Sequence, residues 1–320
     1  MKETILSIFN DYNIVNKIKA ITTDNVNSMI RMSELLNINR IPCIAHILHL
    51  IVTNTLKFIS RNSRLTIDTN SDSESHLQLK SAEIDVLKAS LEILKPFFDI
   101  TCQLSNEKDI TLCLVIPIFV SLSKLTTPYS EDNEIKAGLK EMFNNYIHFY
   151  QKKYEIFEND YFFIASFLHP KFKKFSAAES DQKKKFVKKV EDFIRIKVRD
   201  FRDINNDTNK RSSENQNSII DSNRFQLSDS SDEENNVEIN WRAAKKEMNN
   251  YIFEAKFDNA VEFWNLNKYK YPILHEFFVN YAIAPATSSP SERLFSKANY
   301  QVWDRRNKIS PEKVEAIMFL

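Results

Sequence analysis

One glycine in 320 residues, Gly138, is the strongest constraint this sequence carries. Ordinary usage of about 7% would supply roughly twenty. Phosphate loops of the G-x-G-x-x-G and G-x-x-x-x-G-K-[ST] kinds need closely spaced glycines, so the common nucleotide-binding enzymes are excluded. Primed hairpin turns also draw on glycine, which argues against an all-β fold. Helix is therefore expected to dominate, with a small β component. The same composition, poor in glycine and rich in Asn, Lys and Ile, is also what an AT-rich genome produces.

Hydrophobic residues make up 42% of the chain, enough to bury a core. The length fits two domains, or one domain with a large insertion. The 44 Lys and Arg nearly cancel the 43 Asp and Glu, leaving a formal charge of +1. A chain-wide electrostatic footprint for nucleic acid is absent, so any such binding has to come from local patches. Cys43, Cys102 and Cys113 are too few and too scattered for a disulfide framework, which predicts a reducing, intracellular setting. The N-terminus lacks a signal-peptide apolar core, and no run approaches the roughly 18 apolar residues of a membrane span.

Apolar spacing predicts helices over 1–12, 26–37 and 44–59, then over 81–102, 109–126, 133–151, 160–168 and 179–201. Residues 17–24 (KIKAITTD) alternate and are β-rich, so they predict a strand with Asp24 at its C-terminal end. Such ends present functional side chains. Alternatively, Asp24 caps the helix that follows. Cys43 and His46 form a C-x2-H pair that is either half a zinc site or a buried cysteine beside a satisfied histidine. Residues 61–79 are polar and read as a loop. In the helix 179–201, Val187, Val190, Ile194, Val198 and Phe201 make the apolar stripe. Lys183, Lys184 and Lys185, with Lys188 and Lys189, make a face that is either merely solvated or touches phosphate. Residues 203–238 are rich in Asn, Ser and Asp and poor in apolar groups, so a disordered insert is expected there. Order returns at 239 with further short helices.

The C-terminal stretch is dense in motifs. Tyr271-Pro272-Ile273-Leu274 opens a helix, and Ala286-Thr287-Ser288-Ser289-Pro290-Ser291-Glu292-Arg293-Leu294-Phe295-Ser296 opens another. Arg305-Arg306-Asn307-Lys308-Ile309 and Ser310-Pro311-Glu312-Lys313-Val314-Glu315-Ala316 follow, and Trp264 precedes KYKYP. This series resembles the C-terminal dimerisation region of hAT-superfamily DNA transposases and of host proteins derived from them. Upstream, Ala20-Ile21-Thr22-Thr23-Asp24-Asn25 resembles the family's strand ending in its second catalytic aspartate. Cys43-x2-His46 with Leu48 resembles its Cys/His helix, and residues 91–118 resemble the start of its helical insertion. Phe167-Leu168-His169-Pro170-Lys171-Phe172-Lys173 resembles a Leu-Asp-Pro-Arg-aromatic-Lys motif, with His169 and Lys171 in place of the usual Asp and Arg.

The resemblance implies a mostly α protein in which a partial RNase H-like α/β core is interrupted by a large all-helical insertion. It divides the chain into a partial core at 1–60, an insertion at 61–255 and, at 256–320, a dimerisation region completing the core. Family cores use three carboxylates to hold two divalent metals, Mg2+ or Mn2+. Asp24 matches the second carboxylate and Glu292 the third, while the first is expected upstream of the chain's start, as is a BED zinc finger. The chain is accordingly expected to be a catalytically silent, transposon-derived nuclear protein with no cofactor of its own. Its expected partner is a further copy, in a dimer or higher oligomer, through Trp264, Tyr271, Pro272, Leu274, Phe277, Phe278, Arg293, Leu294 and Phe295. Neither a membrane nor a small-molecule substrate is expected. Alternatives are an active cut-and-paste transposase subunit and a DNA-binding regulator using Lys183–Lys185, Arg305, Arg306 and Lys308. Glu292 also has a plain structural explanation, since Ser289-Pro290-Ser291-Glu292 reads as a capping box with Ser289 as N-cap.

Overall fold

The computed structural model describes residues 2–15, 17–62, 81–212, 230–301 and 313. The protein is mostly helical, and the described strands form one two-stranded sheet. Two compact units emerge: Met1–Glu158 with Ile283–Leu320, and Asn159–Ala282. The segment 256–320 is thus shared between the units, passing from one to the other after Ala282.

The first unit begins with α1 (Lys2–Asp11), β1 (Ala20–Thr23), α2 (Asn27–Leu36) and β2 (Asn39–Pro42). β1 and β2 pair in parallel, with Ala20 opposite Asn39 and Thr23 opposite Pro42. Parallel neighbours need a crossover, and α2 provides it. That helix stops at Asn37, which takes the left-handed conformation (φ 53°) that Asn tolerates, and whose N–H bonds back to Ser33 and Glu34 carbonyls. The strand expected over 17–24 is real but shorter. β2 was not anticipated: four residues, two of them polar and one proline, give no period to read.

Next come α3 (Ile44–Asn62), α4 (Ser81–Leu104), a 3-10 turn (Leu112–Leu114), α5 (Val115–Leu125) and α6 (Glu134–Lys153). On α3, Ile44, Ile47, Leu48, Ile51 and Thr55 are buried at steps of three and four. α4 contributes Ala89, Ile93 and Phe97, and α6 contributes Leu139, Phe143 and Ile147. Phe97 and Phe143 meet with ring centroids 5.4 Å apart. The unit closes with α12 (Ser289–Gln301). α3 continues to Asn62, two residues into the stretch read as a loop, and residues 63–80 lie outside the described residues.

The second unit holds α7 (Asp160–Leu168), α8 (Ser180–Ser212), α9 (Ser230–Phe253), α10 (Ala260–Asn267), α11 (Pro272–Phe277) and a π-helical turn (Phe278–Ala282). Every residue of α7 from Phe162 to Leu168 is buried, as suits a helix that is apolar all round. Asn159 and Asn259 cap α7 and α10 by accepting from the N–H groups of Tyr161 and Glu262. The expected disordered insert at 203–238 needs correction: α8 runs on to Ser212 and α9 begins at Ser230. Helix propagation from a packed stretch outweighs the polar composition there. The rest of that insert, 213–229, lies outside the described residues.

Candidate functional site

Asp24 follows directly on β1. Arg40 on β2 reaches across to this turn. Its Nε donates to Thr23 Oγ1 at 3.0 Å, and its Nη2 donates to the Asp24 carbonyl at 3.1 Å and to Asn25 Oδ1. Asn25 Nδ2 in turn donates to the Cys43 carbonyl at 3.3 Å. Burial pulls the Arg40 guanidinium below its ordinary value, opposed by Tyr154 and then Asp24. These bonds fix the backbone around Asp24 while leaving its carboxyl group aside. Asp24 Oδ1 is buried without a hydrogen-bond partner. Asp24 therefore does not cap α2, whose N-cap is Val26 with no side-chain bond. A buried, unsatisfied carboxylate oxygen costs about 1–3 kcal/mol or more, so stability does not account for this residue.

Cys43 sits at the hub of the same turn. It is 1% exposed and carries a free thiol. Its N–H donates to the Thr23 carbonyl at 2.8 Å, and its Sγ accepts from the Ser288 N–H at 3.3 Å. Of the two readings of Cys43-x2-His46, the buried cysteine describes what Cys43 does. Among the described residues, no group of three His, Cys, Asp or Glu side chains is arranged to hold a metal.

The segment before α12 is stitched to this strand end. Thr22 Oγ1 donates to the Pro285 carbonyl at 2.6 Å, and the Ile44 N–H donates to the Ala286 carbonyl at 2.9 Å. The Ala286 N–H donates to Thr111 Oγ1 at 2.9 Å. Ser288 Oγ then donates to Glu292 Oε1 at 2.7 Å, and the Glu292 N–H bonds to the Ser288 carbonyl at 3.1 Å. Ser288 therefore stands at the N-cap position of α12, one residue earlier than the capping box read from the sequence, with its hydroxyl spent on Glu292. Ser289 instead accepts from Ser105 Oγ at 3.3 Å. Cys43 thus bonds to Thr23 and Asn25, the neighbours of Asp24, and to Ser288, which bonds Glu292. Arg293 is held by Glu107 and by the Ser105 carbonyl, leaving Leu294 and Phe295 48% and 68% exposed.

The remaining association candidates lie in the second unit. Trp264, Tyr271, Leu274, Phe277 and Phe278 are all buried there, and Pro272 is exposed at the start of α11. Trp264 Nε1 donates to the Leu168 carbonyl at 2.7 Å, and its ring stacks on Phe278 at 5.5 Å. Such side chains shape a surface from within and cannot touch a partner without rearrangement. Sequence reasoning passed over Phe253, Leu266 and Tyr269, which are 83%, 70% and 87% exposed. The available signal was an apolar residue off the buried stripe, as Leu266 is off the Ala260, Phe263, Trp264 stripe of α10.

The Leu168–Lys173 motif is a tie between α7 and α9. Lys173 Nζ donates to the Glu254 and Ala255 carbonyls at 2.7 and 3.4 Å and lies 4.7 Å over the Tyr251 ring. Burial lowers this ammonium to about 8. Lys183, Lys184 and Lys185 stand exposed on α8, whereas Arg305, Arg306 and Lys308 lie outside the described residues.

Residues 226–320 match the family model of the hAT family C-terminal dimerisation region. No curated protein matches the chain.

Proposed function

We propose that this chain is an hAT-family, transposase-derived protein that works by self-association, as a homodimer or higher oligomer of nuclear location, because residues 226–320 match that family's dimerisation region. The observation that carries the reading is the match over 226–320, supported by large apolar side chains left exposed inside it. Leu294 and Phe295 lie on a helix tied back through the Ser288 N–H to Cys43 Sγ and through Arg293 to the Ser105 carbonyl. A few large side chains that become fully desolvated carry most of an interface's energy. Light scattering on the full chain at micromolar concentration tests it: a mass of two or more copies is expected. Phe295→Glu should weaken self-association about 30-fold, the effect of a ~2 kcal/mol hot spot. A strict monomer at tens of micromolar would sink the reading.

On this reading the chain alone does not cut DNA. The partial RNase H-like core is supported by the parallel β1–α2–β2 unit with Asp24 at its C-terminal edge. Asp24, with an unpartnered oxygen, fits the chemistry of a hard-cation ligand. Glu292 is engaged by the Ser288 hydroxyl, and two carboxylates fall short of a two-metal site. The described residues therefore do not fit a resident Mg2+ or Mn2+. The lone oxygen of Asp24 does favour a second reading, in which the chain is a subunit of an active cut-and-paste DNA transposase completed by a further carboxylate. Calorimetric Mn2+ titration separates the two: saturable binding abolished by Asp24→Asn would support the second reading.

A further inference from the structure

α4 carries an apolar seam that the core of its own unit does not use. The inward side of this helix is Ala89, Ile93, Phe97 and Leu104, all buried. On the far side, Ile84, Leu87, Leu91 and Phe98 are 38%, 54%, 68% and 69% exposed. With half-buried Leu94 they fall at steps of three, four, three and four. That is a 3.5-residue repeat, the spacing by which one helix seats against another. Solitary exposed apolar residues are ordinary, but these form one line over about 21 Å of helix.

A row of exposed charges runs beside the seam: Asp85, Lys88, Glu92, Lys95 and Asp99, alternating in sign at steps of three and four. On a merely solvated helix such neighbours pair with one another. Here Glu92 pairs instead with Lys136 of α6, at 2.6 Å, and among the described residues the other four have no ion-pair partner. The charges beside the seam are therefore largely unspent.

We infer that the occupant of the seam is α4 of a second copy, lying antiparallel across a two-fold axis beside Leu91. Seam and charges choose nearly the same centre. Reversal about position 91 sets Ile84 opposite Phe98, Leu91 opposite itself, and Leu87 within one residue of Leu94. Reversal about position 90 sets Asp85 opposite Lys95 and Lys88 opposite Glu92, so each sign meets its opposite. The two centres differ by one residue, about 1.5 Å. A two-fold interface requires this self-complementarity, in which each residue meets its counterpart twice. Parallel helices would set each charge opposite its own kind. α4 lies outside the matched stretch 226–320, so this contact is separate from the association proposed above and does not rest on it. A few hundred Å2 per copy places it at the weak end of specific interfaces, so it forms at high local concentration.

The test uses the full chain with Cys102→Ser, which removes the exposed thiol and leaves the buried Cys43 and Cys113. Single cysteines are then placed at the exposed positions Ile84, Leu91 and Phe98 and oxidised with copper phenanthroline at tens of micromolar. Leu91→Cys should crosslink to itself. Ile84→Cys and Phe98→Cys should each fail alone and crosslink when mixed, because the two copies of either position stand about 21 Å apart along the helix, beyond the ~7 Å reach of a disulfide. The same pattern in a Phe295→Glu background supports a contact independent of the C-terminal region. In that background, sedimentation equilibrium should show association about tenfold weaker for Asp85→Lys, and within about twofold of the starting chain for Asp85→Lys/Lys95→Asp. Crosslinking at none of the three positions overturns the proposal whatever the oligomer mass, and leaves the association reading intact. Self-crosslinking at all three overturns it in favour of parallel helices, and a charge swap that fails to restore association overturns the register. Leu91→Glu should leave thermal unfolding unchanged below micromolar concentration, where copies are apart. A lower melting temperature there would mean that the seam is covered by its own chain, and would also overturn the proposal.

Discussion

His169 should make the second unit sensitive to mild acid. Its side chain is 8% exposed, with its ring 4.7 Å from that of Phe172. Nδ1 accepts the Lys171 N–H at 3.2 Å, which puts the proton of the neutral ring on Nε2. Protonating Nδ1 would break that bond and charge a buried group. Burial, and then the Lys171 ammonium, lower His169 from 6.5 to about 4, while Asp258 pulls weakly the other way. The folded state therefore refuses a proton that the unfolded chain accepts below pH 6.5, so stability falls as the pH falls. The loss begins near 6.5, proceeds at about 1.4 kcal/mol per pH unit, and levels off near pH 4, at a total of roughly 3 kcal/mol. Urea unfolding of wild type and His169→Gln at pH 7.5, 6.0 and 4.5 measures this. Carboxylates elsewhere titrate in both proteins, so the informative quantity is the difference between them. The variant should lose about 2.5 kcal/mol less than wild type between pH 7.5 and 4.5. Parallel stability curves over that range would refute the assignment of a buried, neutral His169.

Replacing Arg40 with Met keeps the stem and removes the donors to Thr23, Asp24 and Asn25. At 1.5–3 kcal/mol for a charged hydrogen bond, partly offset by water, a loss of about 2–3 kcal/mol in urea unfolding is expected. A change under about 0.5 kcal/mol would mean the turn around Asp24 holds itself. Among the thiols, Cys102 is exposed, whereas Cys113 is buried, donates to the Ile110 carbonyl at 3.1 Å and is pushed up by burial to about 12. A colorimetric thiol reagent at pH 8 should therefore titrate a single cysteine in the native chain and three in urea. Fast labelling of Cys113 in the native state would contradict its burial.

Long apolar repeats were legible in this sequence because a stripe at steps of three and four has few alternatives. α3 and α6 followed from such spacing, with bounds shifted by a few residues. Short elements were not legible. β2 carries its information in its partner: Arg40 and Asn39 look like loop residues until β1 supplies the ladder and the Thr23–Asn25 turn supplies acceptors. The insert at 203–238 failed in the opposite direction. Composition judges whether a segment can bury its own surface, but both of its flanks are extensions of helices already paid for by packing.

The candidate site divides along the same line. Residue types alone offered two accounts each for Asp24 and Glu292, a cap or a ligand. Local hydrogen bonding decides between these only when the partner is present, and it decided differently for the two. Glu292 has its Ser288 hydroxyl, so its carboxylate is accounted for without chemistry. Asp24 has a clamp around its backbone and nothing on Oδ1. A residue that costs stability, in a turn braced by a half-buried guanidinium, is retained by folding only as a by-product, or by function outright. The two are separable in one measurement. Asp24→Asn keeps the shape and removes the charge, so it should leave stability equal or higher by up to about 1–2 kcal/mol if the oxygen is truly unsatisfied. A variant that is instead markedly less stable would show that Oδ1 is bonded, and would return Asp24 to an ordinary structural role.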